Sequence, residues 1–174
     1  MNFYQILTEV IDLRSFSNLW YWIGLAVLWS SLSRVLLGAP YDMVRRARKQ
    51  GGQMQQDVEA IVAIIVRRWL SLARAAAVPL LFIISVVLTM LFLLAFWFWI
   101  EFAQAVFFLL APMVPVGWLT LHTALKVETG ESRGEALFRR LLIHRRAVQM
   151  IGMVTIFVTA LFGMWQNFSI SVLH

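Results

Sequence analysis

A chain of 174 residues that is 61% hydrophobic and 14% charged lies well outside the soluble norm of about 45–50% apolar and about 25% charged residues. It has no cysteine, which excludes disulfides, thiolate catalysis and cysteine-ligated metal within the chain. Its formal charge of +6 gathers in segments between apolar blocks, which points to a membrane surface or a protein partner and away from nucleic acid.

The apolar blocks run about 20 residues each, the length that crosses a hydrocarbon core of roughly 30 Å. The fold class they define is all-α and integral to a membrane, one domain over residues 1–174 with four transmembrane helices and additional amphipathic interfacial helices. Residues 1–18 form an outer amphipathic segment, in which Phe3, Ile6, Leu7 and Val10 recur at helical spacing against Gln5, Thr8, Glu9 and Asp12. No positive charge precedes them, so a cleavable signal is not expected. Ser15 and Ser17 offer N-caps for the first span, 19–37, which opens on Trp20, Tyr21 and Trp22 and carries Arg34 near its end. Gly38-Ala39-Pro40 then stops the helix.

Residues 38–74 form a basic connector holding Arg45, Arg46, Arg48 and Lys49 and then Gly51-Gly52. Within it an amphipathic helix is expected over 57–73. Val58, Ile61, Val62, Ile65, Val66, Trp69 and Leu72 share one side, suited to the membrane interface or to a partner. From residue 75 to 125 there is a single charged residue, Glu101. That stretch is too long for one crossing and right for two, so a tight helical hairpin follows: 77–100, a turn marked by Glu101 and Gln104, then 102–124. Pro112 and Pro115 predict a kink or an unwound turn inside the second of these helices. Residues 125–146 form a basic loop with Arg139, Arg140, Arg145 and Arg146, where Glu135 and Arg139 make an i, i+4 pair. The fourth span is 147–165, and 166–174 is an outer tail.

Two signals orient this arrangement. Positive residues beside spans stay on the cytoplasmic side, and every Lys and Arg except Arg14 falls in or beside the two long connectors, including Arg67 and Arg68. The connectors are therefore cytoplasmic and both termini are on the outer (periplasmic) side. Independently, tryptophan favours the membrane–water boundary. Trp20, Trp22, Trp97, Trp99 and Trp165 fall at the outer ends of the four spans as an aromatic belt, Trp69 belongs at the inner boundary, and Trp29 and Trp118 are expected to pack between helices.

Chemistry-bearing patterns are sparse. No phosphate loop, nucleophile elbow, zinc motif or pair of intramembrane carboxylates is present, so no enzyme, catalytic residue, cofactor or metal is expected. His122, His144 and His174 are too scattered for ligand spacing and read as boundary or tail residues. Glu101 reads as a solvated turn residue rather than a proton carrier. Gly24, Gly117, Gly152 and Gly163, with the same-face pairs Ser85/Thr89 and Thr155/Thr159, offer positions for close helix contact. The residues expected to dock a partner or anionic lipid are Arg45, Arg46, Arg48, Lys49, Arg67, Arg68, Arg139, Arg140, Arg145 and Arg146.

Residues 11–48, IDLRSFSNLWYWIGLAVLWSSLSRVLLGAPYDMVRRAR, carry the runs RSFSNLWYW and GAPYDMV. In these the chain resembles small bacterial inner-membrane proteins that are labelled as a component of the Suf-type iron–sulfur assembly complex. The resemblance implies a multi-pass protein of the bacterial inner (cytoplasmic) membrane. It also implies a role as membrane tether for that system, because a chain without cysteine supplies no thiolate ligand. From the residues themselves the leading expectation is a non-catalytic accessory or scaffold protein, or assembly factor, that associates with other membrane proteins in a larger complex. A small oligomeric transporter or channel, built on the Pro112–Pro115 region, is the expectation from a different class.

Overall fold

The computed structural model describes residues 19–171 and is about 90% helical. Helix α1 spans Leu19–Arg34, and a minimal antiparallel hairpin follows, β1 Val35–Leu36 with β2 Ala39–Pro40. Next come α2 Tyr41–Gln50, α3 Gly52–Phe92, a π-helical turn Leu93–Trp97, α4 Glu101–Leu110, α5 Met113–Thr129 and α6 Gly134–Ser171. Three stretches are long and apolar enough to cross a membrane: Gly52–Trp97, Glu101–Thr129 and Gly134–Gln166. Helix α1 is apolar but has 16 residues, about 24 Å at 1.5 Å per residue. It stops three residues before the expected end of the first span, because the chain turns back at Leu37-Gly38. Both turn residues have positive φ, 44° and 87°, as a two-residue turn of the I′ kind needs. Glycine supplies the second at no steric cost, and a Cβ there would lie 2.5 Å from Ile65 Cγ1. Leucine at the first is strained, and it is held because its side chain is buried in the core beneath. The expected outer segment 1–18, with Arg14, Ser15 and Ser17, lies outside the described residues, as do residues 172–174.

The expected amphipathic helix and second span form one continuous helix, α3, of 41 residues, about 60 Å long. That is twice the hydrocarbon thickness, so half of it stands clear of any bilayer it crosses. The polar half buries Val58, Val62, Val66 and Leu70, one residue per turn, while Ile64, Trp69 and Leu72 stay exposed. The buried stripe meets Val44 and Ala47 of α2, Ala124 and Val127 of α5, and Leu137, Phe138 and Leu141 of α6. These residues form an inner lobe, a small soluble-type core built on the ends of the apolar helices. The surface of the connector helix is thus answered by this chain's own elements. Proline at position 79 lies inside α3 and removes one i→i−4 bond; the helix continues through it.

Further along, a second core joins Leu25 and Trp29 of α1 with Val116 of α5 and Val148 of α6. The buried face of α6 there is lined by small residues, Gly152, Thr155 and Thr159, which let helices approach closely. Trp29 lies against Gly152, where a Cβ would come within 2.6 Å of the indole Cε3. Thr155 and Thr159 bond back to the carbonyls of Ile151 and Thr155 at 2.8 Å, so neither presents a free hydroxyl proton to the core. Of the other small positions, Gly24 and Gly117 have open space around them, and Ser85 and Thr89 face outward.

At the hairpin, Phe96 gathers the rings of Phe92, Phe107, Phe108 and Phe162 at centroid distances of 5.0–6.4 Å. The reversal itself uses Trp99 at φ +55°. Gln104, fully buried, donates its side-chain amide to the Ala95 carbonyl at 2.8 Å. A carbonyl at the end of a helical segment has lost its backbone partner, and in an apolar surrounding it needs a replacement. Gln104 is that replacement. The chain breaks again at Ala111-Pro112, between α4 and α5. Pro115 sits in the first turn of α5, where its missing N–H costs nothing.

Candidate functional site

The basic residues expected to dock a partner divide by what the fold does with them. Arg45, Arg46, Arg48 and Lys49 occupy the exposed side of α2, since Val44 and Ala47 hold the other side in the inner core. Arg67 and Arg68 are exposed on α3, and Arg67 donates to the Ala63 carbonyl of its own helix at 3.4 Å. Arg139 and Arg146 are exposed on α6, with Arg140 and Arg145 half-buried.

Acidic residues tie several of these to the lobe. Arg48 pairs with Glu135 of α6, Arg140 with Glu131, and Arg74 with Glu128 at 2.7 Å. The local Glu135–Arg139 pair expected from spacing is replaced by this contact 87 residues away, with Arg48 Nε donating to Glu135 Oε2 at 3.2 Å. Arg140 holds the Glu131 carboxyl below its ordinary pKa, chiefly through their hydrogen bond. Glu59 accepts from the Gly134 N–H and from the Gln55 amide, both at 2.8 Å. Its carboxylate thereby caps the start of α6, where the helix dipole favours negative charge.

Where α2 meets α6 the surface opens into a groove of about 420 Å³ lined by Tyr41, Val44, Arg45, Arg48, Lys49 and Leu142. The Arg145 guanidinium stacks 3.5 Å from the centroid of the Tyr41 ring, close enough for a cation–π contact. Its Nε donates to the Ser33 carbonyl at 3.2 Å, fastening α6 to the last turn of α1. Arg45 and Lys49 have no carboxylate partner among the described residues. Four of the ten expected docking residues therefore converge here, and Arg46, Arg67, Arg68, Arg139, Arg140 and Arg146 lie elsewhere. Sequence reasoning did not single out Tyr41 or Leu142, whose contribution depends on packing between helices 100 residues apart.

At the opposite end stand the aromatic residues. Trp20, Trp97, Trp99 and Trp165 are exposed, and Trp22 is half-buried against the α1 core. The Trp99 and Trp165 rings are 6.3 Å apart. Tyr21 donates its hydroxyl to the Ala105 carbonyl at 3.3 Å, which sets the start of α1 beside the start of α4. Trp29 is buried, whereas Trp118 is exposed and stacks on His122 at 5.4 Å. His144 is buried in the lobe with Nδ1 3.1 Å from Thr123 Oγ1. The same hydroxyl lies 2.8 Å from the Leu119 carbonyl. Among the described residues no group of three or more His, Cys, Asp or Glu could hold a metal ion.

Three long apolar helices crowned by a folded basic lobe make the chain compatible with a multi-pass α-helical membrane protein. Comparison with protein-family models, with curated proteins and with solved structures found no match to it.

Proposed function

We propose that this chain is a four-span protein of a bacterial inner membrane, with both termini outside, that serves as a non-catalytic accessory or scaffold subunit of a larger membrane complex. In this reading α1 completes the set of spans and the basic lobe faces the cytoplasm. The observation that carries the reading is the apolar half of α3. Its most apolar 18-residue window has no residue buried by the rest of the chain, and Val78 and Phe82 are 80% and 70% exposed. A helix that turns only the half-buried Ile84, Leu88 and Leu91 to its own bundle leaves a long apolar flank for a neighbouring subunit's helix, while the lobe gives a rigid basic surface beside it. Gentle detergent purification of the tagged chain at native level, with quantification of co-purifying proteins, tests this. A stoichiometric set of membrane proteins is expected. Recovery of the chain alone, or only with itself, overturns the scaffold reading and favours the oligomeric transporter.

The resemblance over residues 11–48 supports a second, narrower reading, a membrane tether for cytosolic iron–sulfur assembly proteins. The exposed arginines of α2 lie inside that stretch and would be the contact. Charge reversal at Arg45, Arg46 and Arg48 then releases a soluble partner; unchanged recovery of that partner rules the tether out.

A further inference from the structure

We infer that the groove between α2 and α6 is a headgroup site for one anionic phospholipid, with Arg45 and Lys49 binding its phosphate. The inference rests on reading 147–165 as a span, and it does not depend on which proteins the chain accompanies. Leu142 lies five residues before that span, about 7 Å along the helix. The groove it lines is therefore level with the headgroup layer, which extends about 5–8 Å beyond the hydrocarbon on each side.

The groove's chemistry suits a phosphate at that depth. Arg45 and Lys49, one helical turn apart on α2, both line it and both lack a carboxylate partner among the described residues. Arg48 adds a third cation whose position is set by Glu135, so its charge is shared. The groove's edge is stiff, because Tyr41 is clamped under the Arg145 guanidinium and Arg145 in turn holds the Ser33 carbonyl. Leu142, half-buried, supplies an apolar wall against which the glycerol and upper acyl carbons can lie. Cations at the rim of a largely apolar groove, at headgroup depth, match an amphiphile that carries negative charge at one end. A free anion would use only the cations.

Native mass spectrometry of the full chain in neutral detergent, titrated separately with phosphatidylglycerol and phosphatidylcholine, provides the test. One tightly held phosphatidylglycerol per chain is expected, with phosphatidylcholine much weaker. R45Q/K49Q is expected to weaken phosphatidylglycerol about thirty-fold, and Lys49→Gln alone about fivefold, as removal of two charges or one near an anionic surface implies. R67Q/R68Q removes the same charge from another part of the lobe and is expected to bind as the parent chain does. Equal loss in the two double variants, or no preference for phosphatidylglycerol, overturns the site. Displacement of the lipid by millimolar inorganic phosphate also overturns it, by assigning the groove to a free anion. No other protein is present in this titration, so its failure is distinct from failure of the scaffold reading.

Discussion

Gly152 lies directly against Trp29 of α1, and replacing it with alanine has a calculable effect. Alanine is better than glycine in a helix by about 0.8–1 kcal/mol, so the substitution would stabilise α6 if space allowed. Space is missing: the new Cβ falls 2.6 Å from Trp29 Cε3 and 2.9 Å from Cδ2. Ordinary carbon contacts are about 3.5–4.0 Å, so the indole must retreat by roughly 1 Å. A fused ring pinned among Leu25, Val116 and Val148 cannot do this by a small rotation. Overpacking of this sort costs typically about 1–3 kcal/mol. The propensity gain is removed by comparison with Gly117→Ala on α5, where nothing lies within 4 Å. G152A is therefore expected to be less stable than G117A by about 1–3 kcal/mol, measured by reversible unfolding in mixed micelles. In a Trp29→Leu background the steric part should vanish, leaving G152A neutral or stabilising. The two effects are coupled because the residues touch. A G152A variant as stable as G117A with Trp29 intact would refute the packing of α1 on α6.

Three further outcomes are expected. Gln104→Met keeps the side chain's length but strips the Ala95 carbonyl of its donor. Part of the penalty of about 1–3 kcal/mol for an unmet buried acceptor is offset because Gln104 Oε1 has no partner of its own among the described residues. A net loss of about 1 kcal/mol is expected, with faster amide exchange in the π-turn, and unchanged exchange there would remove the role assigned to Gln104. Arg48→Glu should weaken the seating of α2 on α6 by at most about 1 kcal/mol, since both side chains are about half exposed or more. R48E/E135R should recover most of that loss, and a double variant no better than the single would show that the pair does not couple the helices. Arg140 lowers the folded-state pKa of Glu131, so its contribution is present above the ordinary carboxylate value and lost as pH falls through the folded one. Proteolytic nicking of the loop 129–134 should rise over that acid range in the parent chain, and the rise should be absent in E131Q.

The parts of the fold that sequence could reveal are those written in local pattern. The near absence of charge from residue 75 to 125 marks two apolar helices, and Glu101 with its neighbours marks their turn because no other position there tolerates water. Three features depend on partners that local pattern does not name. The stripe Val58, Val62, Val66 and Leu70 has the same period whether it meets lipid or protein, and only the folded lobe supplies Leu137 and Leu141 as its counterpart. Glu135 has a basic residue four positions on, yet Arg48 reaches it from α2. Gln104 reads as a polar marker of a turn, while its work is to satisfy a carbonyl nine residues earlier. The hairpin at Leu37-Gly38 was hidden for another reason. Leucine is a poor choice for positive φ, and what holds it there is burial. For the site, the wealth of arginine was plain in the sequence. The convergence of Arg45 and Lys49 with Tyr41 and Leu142 was not, since α2 and α6 meet only after the lobe has folded.

The central claim is that α1 crosses the membrane along with the three longer apolar helices, leaving the basic lobe inside and both ends outside. A chain without cysteine allows it to be tested with single cysteines and a membrane-impermeant maleimide on intact cells with a permeabilised outer membrane. Gln5→Cys and His174→Cys should label from outside, and Gln50→Cys and Ser132→Cys only after the inner membrane is opened. Labelling of His174→Cys with protection of Gln5→Cys would mean that the 16-residue α1 does not cross. It would contradict the four-span account.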